Sequence, residues 1–182
     1  MSETKIPPID LVGQYNSMKQ EIDNAVKGVL DSGHFVLGPN VSAFEEEFAS
    51  YCDTKFSVGV ASGTEAIFLT LKALGAGPGD EVITCSNSFV STALSVSHTG
   101  AKPVFVDVVE KNFNMDPTKL EEKITDKTKA IMPIHLFGQC GPMDEINEVA
   151  QKHSLPVVED ACQAHGALHK NKKAGSLGTV AC

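Results

Sequence analysis

Apolar and polar positions change their rhythm near residue 56. Before that point the spacing is helical. Leu11, Tyr15, Met18, Ile22, Val26, Val29 and Leu30 recur at close to 3.6 residues, which predicts a single helix over 11–31, closed by Ser32-Gly33. The apolar, glycine-containing loop Phe35-Val36-Leu37-Gly38-Pro39 follows. A second helix is expected to start at the capping box Ser42-Ala43-Phe44-Glu45, with Phe44, Phe48 and Tyr51 on one face. The acids Glu45 to Glu47 suit a solvated face near a helix N-terminus.

Beyond residue 56, short apolar runs alternate with longer amphipathic ones. Strands are expected over 56–60, 81–85, 103–107, 130–134 and 156–159, and helices over 64–74, 90–98, 116–124 and 143–153. Asp116-Pro117 supplies an N-cap with proline at the first helical position. The polar, lysine-rich stretch 168–175 reads as an exposed turn, and Thr179 to Cys182 as the start of another strand. Such alternation with short connections implies a largely parallel sheet covered on both faces. The chain thus divides into a helical segment, 1–54, and an α/β domain, 55–182.

Composition narrows the function classes. A chain of 182 residues holds one full domain, or part of a larger protein. A formal charge of −8 and a pI near 5.2 argue against a nucleic-acid footprint, which needs a basic face. No apolar run approaches the ~20 residues of a membrane span, and Met1 to Pro7 lacks the apolar core of a signal peptide. A cytoplasmic protein is the expectation. The five cysteines, Cys52, Cys85, Cys140, Cys162 and Cys182, are scattered and never spaced C-x-x-C, as in reduced, packed thiols rather than disulfides or a zinc site. All fifteen basic residues are lysine, so any guanidinium clamp for an anion must come from elsewhere.

The chemistry concentrates at strand exits. Gly75-Ala76-Gly77-Pro78-Gly79-Asp80 has the glycines of a dinucleotide loop, yet it follows a helix and precedes a strand. That order is the reverse of the fingerprint, so the loop reads as a helix-ending turn. In Ser62-Gly63-Thr64 a strand runs straight into a helix, whose free N–H groups bind anions; the alternative is an ordinary N-cap. Phe89, after Ser86-Asn87-Ser88, stands where a flat ring could stack on a flat cofactor, or else belongs to the core. His135 reads as a satisfied turn histidine. The sharpest stretch is Pro156 to Gly166: an apolar strand breaking into Glu159, Asp160, Gln163 and His165. A carboxylate there is costly unless a cation or hydrogen-bond donor meets it. Either Asp160 caps the following turn, or it meets the protonated ring nitrogen of pyridoxal phosphate, with Gln163 and His165 attending. Such a pair is worth roughly 4 kcal/mol at ~4 Å in a mid-range dielectric, before desolvation. An anion cradle, an aromatic platform and a lone acid on one sheet edge form the set that a phosphorylated, planar, basic heterocycle requires.

These motifs resemble the DegT/DnrJ/EryC1/StrS family of pyridoxal-phosphate-dependent sugar aminotransferases. The match runs from Gly33 to Pro39 through Ser62 to Ala66, Gly100 to Asp107 and Ile134 to Gln139, to Glu159 to Ala167. The resemblance implies the α/β, three-layer, mostly parallel sheet of the aspartate-aminotransferase-like large domain (PLP fold type I), truncated and without the C-terminal small domain. It implies that Gly63 and Thr64 bind the cofactor phosphate, Phe89 stacks on the ring, Asp160 pairs with the pyridine nitrogen and Gln163 lies by the ring hydroxyl. Ser62 and His165 are candidates for substrate contact or support. The implied partners are a nucleotide-linked keto sugar, an amino-acid donor, commonly glutamate, and a second subunit in a homodimer. The family's Schiff-base lysine is expected beyond Cys182, so this chain alone is expected not to turn over. Two alternatives stay open: a dehydratase of the same family, with histidine in place of that lysine, and a non-catalytic regulatory or binding module on the same fold. Cys162 stands where the family usually has alanine.

Overall fold

A computed structural model describes residues 7–182. The chain divides into two compact units, Met1–Glu46 and Glu47–Cys182. In the first, the expected single helix is two: α1, Leu11–Ser17, and α2, Lys19–Ser32. The break falls at Met18, which leaves helical geometry (φ −123°, ψ 14°) and turns its N–H back to the Tyr15 carbonyl at 3.0 Å. Asp10 caps α1 through the Gly13 N–H at 2.8 Å, and Gly33 ends α2 in the left-handed region.

Helix α3, Pro39–Tyr51, crosses the boundary between the units. It starts three residues before the expected capping box. Pro39 takes the first helical position, and the Gly38 carbonyl accepts from Val41 and Ser42.

The second unit carries α4, Gly63–Ala73; β1, Glu81–Cys85; α5, Val90–Thr99; and β2, Lys102–Val106. Then come β3, Thr128–Met132; α6, Met143–Lys152; β4, Val158–Glu159; β5, Leu168–His169; β6, Lys172–Lys173; and β7, Val180–Ala181. β1 pairs in parallel with β2 and β3. Parallel bridges Ile131–Val157 and Ile134–Asp160 join β3 to β4, which pairs in parallel with β7. The strand order is therefore β2-β1-β3-β4-β7. Strand alternation gives each face its own core. Val82, Ala130, Met132 and Val158 pack with Ile67 and Leu71 of α4 and Val96 of α5. Ile83, Cys85, Ile131 and Val157 pack with Met143, Ile146 and Ala150 of α6. The result is three layers, helix–sheet–helix.

Several local expectations change. Residues 56–60 join no strand, and Phe56, Val58 and Val60 are exposed. A β-branched and aromatic pattern favours a strand, but a ladder also needs a neighbouring strand to pair with. Residues 117–123 form two 3₁₀ turns rather than an α-helix, the first capped by Asp116 through the Thr118 N–H at 3.0 Å. The turn expected over 168–175 is a short antiparallel hairpin, β5–β6, with Lys170 and Asn171 both at positive φ (47° and 68°). This is the pair of left-handed residues that a tight two-residue hairpin requires. The glycine loop at 75–80 does end α4, with Gly75 at φ 79° and Asp80 holding the Gly77 N–H at 2.9 Å. No helix among the described residues is long and apolar enough to cross a membrane.

Candidate active site

The exit of β4 presents two adjacent carboxylates to opposite faces of the sheet. Asp160 faces α4 and α5. It is 7 % exposed, and its Oδ2 accepts the Thr92 hydroxyl of α5 at 2.9 Å. Thr92 in turn shares a 2.7 Å hydrogen bond with Ser88. The Cys162 N–H lies 3.5 Å from Asp160 Oδ1, so some turn-capping character is present as well. Twelve lysine or histidine pairs with acids occur among the described residues, and none of them involves Asp160. A nearly buried acid with one hydroxyl donor and no cation is the feature that a protonated ring nitrogen would complete.

Glu159 faces the other way and is fully buried. Its Oε1 accepts the N–H groups of Leu177 (2.7 Å) and Gly178 (2.6 Å). Its Oε2 accepts Gly175 N–H (2.8 Å) and His135 Nε2 (2.9 Å). Burial alone would push this carboxyl up. The His135 hydrogen bond and the Gly175 and Gly178 N–H groups outweigh it and hold the acid below the usual glutamate range. His135 is, as expected, a satisfied histidine.

The expected anion cradle, at the start of α4, lies beside the turn that follows Asp160. Ser62 caps α4 by accepting the Glu65 N–H at 3.2 Å, and the N–H groups of Gly63 and Thr64 have no partner among the described residues. A Cβ on Gly63 would fall 2.6 Å from Cys162 Sγ, which places the cradle against the turn that leaves Asp160. Ser95 of α5 donates to the Thr64 carbonyl at 2.9 Å, so the helix that holds Asp160 through Thr92 also holds the start of α4. Phe89 is the N-cap of α5, one turn before Thr92, with its ring 67 % exposed. Gln163 accepts the Phe137 N–H on Oε1 at 3.0 Å. His165 turns instead to the end of α3, its ring edge-on to Phe48 with centroids 6.1 Å apart.

Two members of this arrangement escaped the sequence reading. Thr92 is one of several hydroxyl residues in α5, and nothing in periodicity marks the one that reaches Asp160. Cys162 drew no interpretation, yet it packs between the acid and the cradle. Its thiol is pushed up to about 12 by burial, by the Asp160 charge and by its hydrogen bond to that carboxylate. No cluster of His, Cys, Asp and Glu suited to a metal occurs among the described residues.

Comparisons with known proteins bear on the family and the fold. The chain matches the DegT/DnrJ/EryC1/StrS aminotransferase family over residues 16–182. It is 45% identical over 177 residues to dTDP-3-amino-3,4,6-trideoxy-alpha-D-glucose transaminase of Streptomyces venezuelae, covering 97% of this chain and 47% of that protein. It is 47% identical over 176 residues to dTDP-3-amino-3,6-dideoxy-alpha-D-galactopyranose transaminase of Aneurinibacillus thermoaerophilus, covering 97% and 48%. The crystal structure of S. venezuelae DesV in complex with a ketimine intermediate superposes with a TM-score of 0.93 at 46% identity, covering 94% of this chain and 46% of that one. The chain thus spans about half the length of the relatives it matches. Sequence motifs, layer order and overall likeness converge: the chain belongs to the DegT/DnrJ/EryC1/StrS aminotransferase family.

Proposed function

We propose that this chain forms the cofactor-holding part of a pyridoxal-phosphate-dependent aminotransferase acting on a nucleotide-linked keto sugar, with an amino acid, commonly glutamate, as donor. The observation that carries the proposal is Asp160: a nearly buried carboxylate with a hydroxyl donor and no cationic partner among the described residues, beside a glycine-started helix with unpartnered N–H groups. The relatives named above are nucleotide-sugar transaminases, which favours the substrate class.

The residues fit the cofactor. Gly63 and Thr64 bind its phosphate through their N–H groups, with Ser62 holding the cap that exposes them. Asp160 keeps a proton on the ring nitrogen, while Thr92 fixes the orientation of the carboxylate. Phe89 covers one face of the ring, and Gln163 offers its amide to the ring hydroxyl. His165 is proposed for substrate contact or as support. Once held this way, pyridoxal phosphate supplies an electron sink for charge developing at the amino-bearing carbon. The lysine that carries the cofactor is proposed to follow Cys182, and the working form is a cytoplasmic homodimer.

Borohydride reduction of the cofactor-loaded protein, extended past Cys182, is expected to leave a pyridoxyl-lysine. A reduced protein without one would end the aminotransferase reading.

A further inference from the structure

The loop after β3 is closed on itself by one side chain. The backbone N–H of His135 donates to the Asp160 carbonyl at 3.0 Å, and its ring Nδ1 accepts the Gly141 N–H at 3.2 Å. A ring that accepts at Nδ1 carries its proton at Nε2, which faces Glu159 Oε2. An ionised carboxylate can only accept, so Glu159 enforces that tautomer, and its other contacts are all backbone N–H donors. Inside the closed loop Asn114 braces the turn: its Oδ1 accepts from Leu136 N–H, and its Nδ2 donates to the Gln139 and Cys140 carbonyls. The product is a strained residue. Phe137 sits at φ 53°, ψ 27°, a left-handed conformation that non-glycine residues seldom adopt, with its ring 87 % exposed. In that conformation its N–H reaches Gln163 Oε1 at 3.0 Å. Because Oε1 is the acceptor there, the Gln163 amide nitrogen is left to donate elsewhere.

We infer that His135, its tautomer set by Glu159, is a positioning residue: it closes the 135–141 loop so that Phe137 N–H captures Gln163 Oε1 and turns the Gln163 amide nitrogen toward the ring hydroxyl. The inference rests on the cofactor reading of Gln163 given above. Neither His135 nor Glu159 touches the cofactor in this scheme. Both act from the opposite face of the sheet through the backbone of the loop.

Two variants separate loop closure from simple support of the buried acid. His135→Asn keeps an acceptor near the Nδ1 position but loses the donor to Glu159. His135→Gln can keep the donor but loses the acceptor for Gly141. Amide hydrogen exchange of this chain without cofactor, read by NMR, is expected to show Phe137 and Gly141 losing protection at least tenfold in His135→Gln and keeping it in His135→Asn. Unchanged Phe137 protection in His135→Gln, or its loss in His135→Asn, overturns the inference, and either variant decides alone if the other does not fold. In the protein extended past Cys182, His135→Gln is expected to shift the bound-cofactor absorbance and weaken cofactor binding several-fold. In a Gln163→Ala background it should change neither. Additive effects overturn the coupling. A parent protein that binds no pyridoxal phosphate would sink the proposed function, and the exchange result would still decide the loop mechanism.

Discussion

Gly63 and Cys162 meet within the candidate site. A methyl group at position 63 has nowhere to go unless the thiol rotates, since the clash is with Sγ at 2.6 Å while Cys162 Cβ stays at 3.6 Å. Gly63→Ala is therefore expected to cost about 1 kcal/mol, no more than the low end of core overpacking, because Cys162 is exposed and its thiol can turn away. The Cys162→Ala background should restore most of it in a urea-unfolding double-mutant cycle. Equal losses in both backgrounds would show that the thiol is not what excludes the methyl. At the same scale, Glu159 is a poor control for Asp160. The two acids are neighbours in sequence, yet Glu159 accepts four hydrogen bonds in the core, so Glu159→Ala would report on folding instead of cofactor chemistry.

The element that organises the site is α5. Its first turn holds Asp160 through Thr92, and its middle holds the start of α4 through Ser95. Thr92→Val keeps the shape and deletes the hydroxyl donor to Asp160 Oδ2. A loss of about 1.5–3 kcal/mol in cofactor-free denaturation is expected, the range for a hydrogen bond to a charged group; a neutral result would mean that Asp160 is satisfied otherwise. Elements of this kind were legible in the sequence where the signal was local. The strand ending in Asp160, the glycine after Ser62 and the turn at 75–80 all announce themselves by neighbours in the chain. The pairing of Thr92 with Asp160, and of Cys162 with Gly63, joins residues far apart in sequence, and no periodicity encodes such contacts. The same holds for 56–60, whose alternating Phe56, Val58 and Val60 read as a strand but name no partner, and which stay exposed and outside any strand. The break at Met18 was missed because hydrophobic spacing continues across it, and a single non-helical residue leaves that spacing nearly intact.

For the molecule as a whole, the buried Glu159 ties stability to pH. Its folded pKa lies below the ordinary value, so its contribution is complete above the unfolded pKa of about 4.3 and is lost as pH falls through the folded pKa. The parent is expected to lose stability faster than Glu159→Gln as pH drops below about 5, although the variant starts about 2–3 kcal/mol less stable near neutrality. Urea-unfolding series at stepped pH measure both curves; parallel slopes would show that this acid does not titrate on unfolding.

The alternation of β4 carries a further consequence. Side chains along a strand switch sides at every residue, so sliding β4 by one position would turn Glu159 and the following Asp160 each to the opposite face of the sheet. Glu159 would leave the backbone amides of the 175–178 loop, and Asp160 would leave the Thr92 hydroxyl. Correct registration of this one short strand is thus a single decision from which both a folded core and a working electrostatic environment descend. An error there would forfeit the two together.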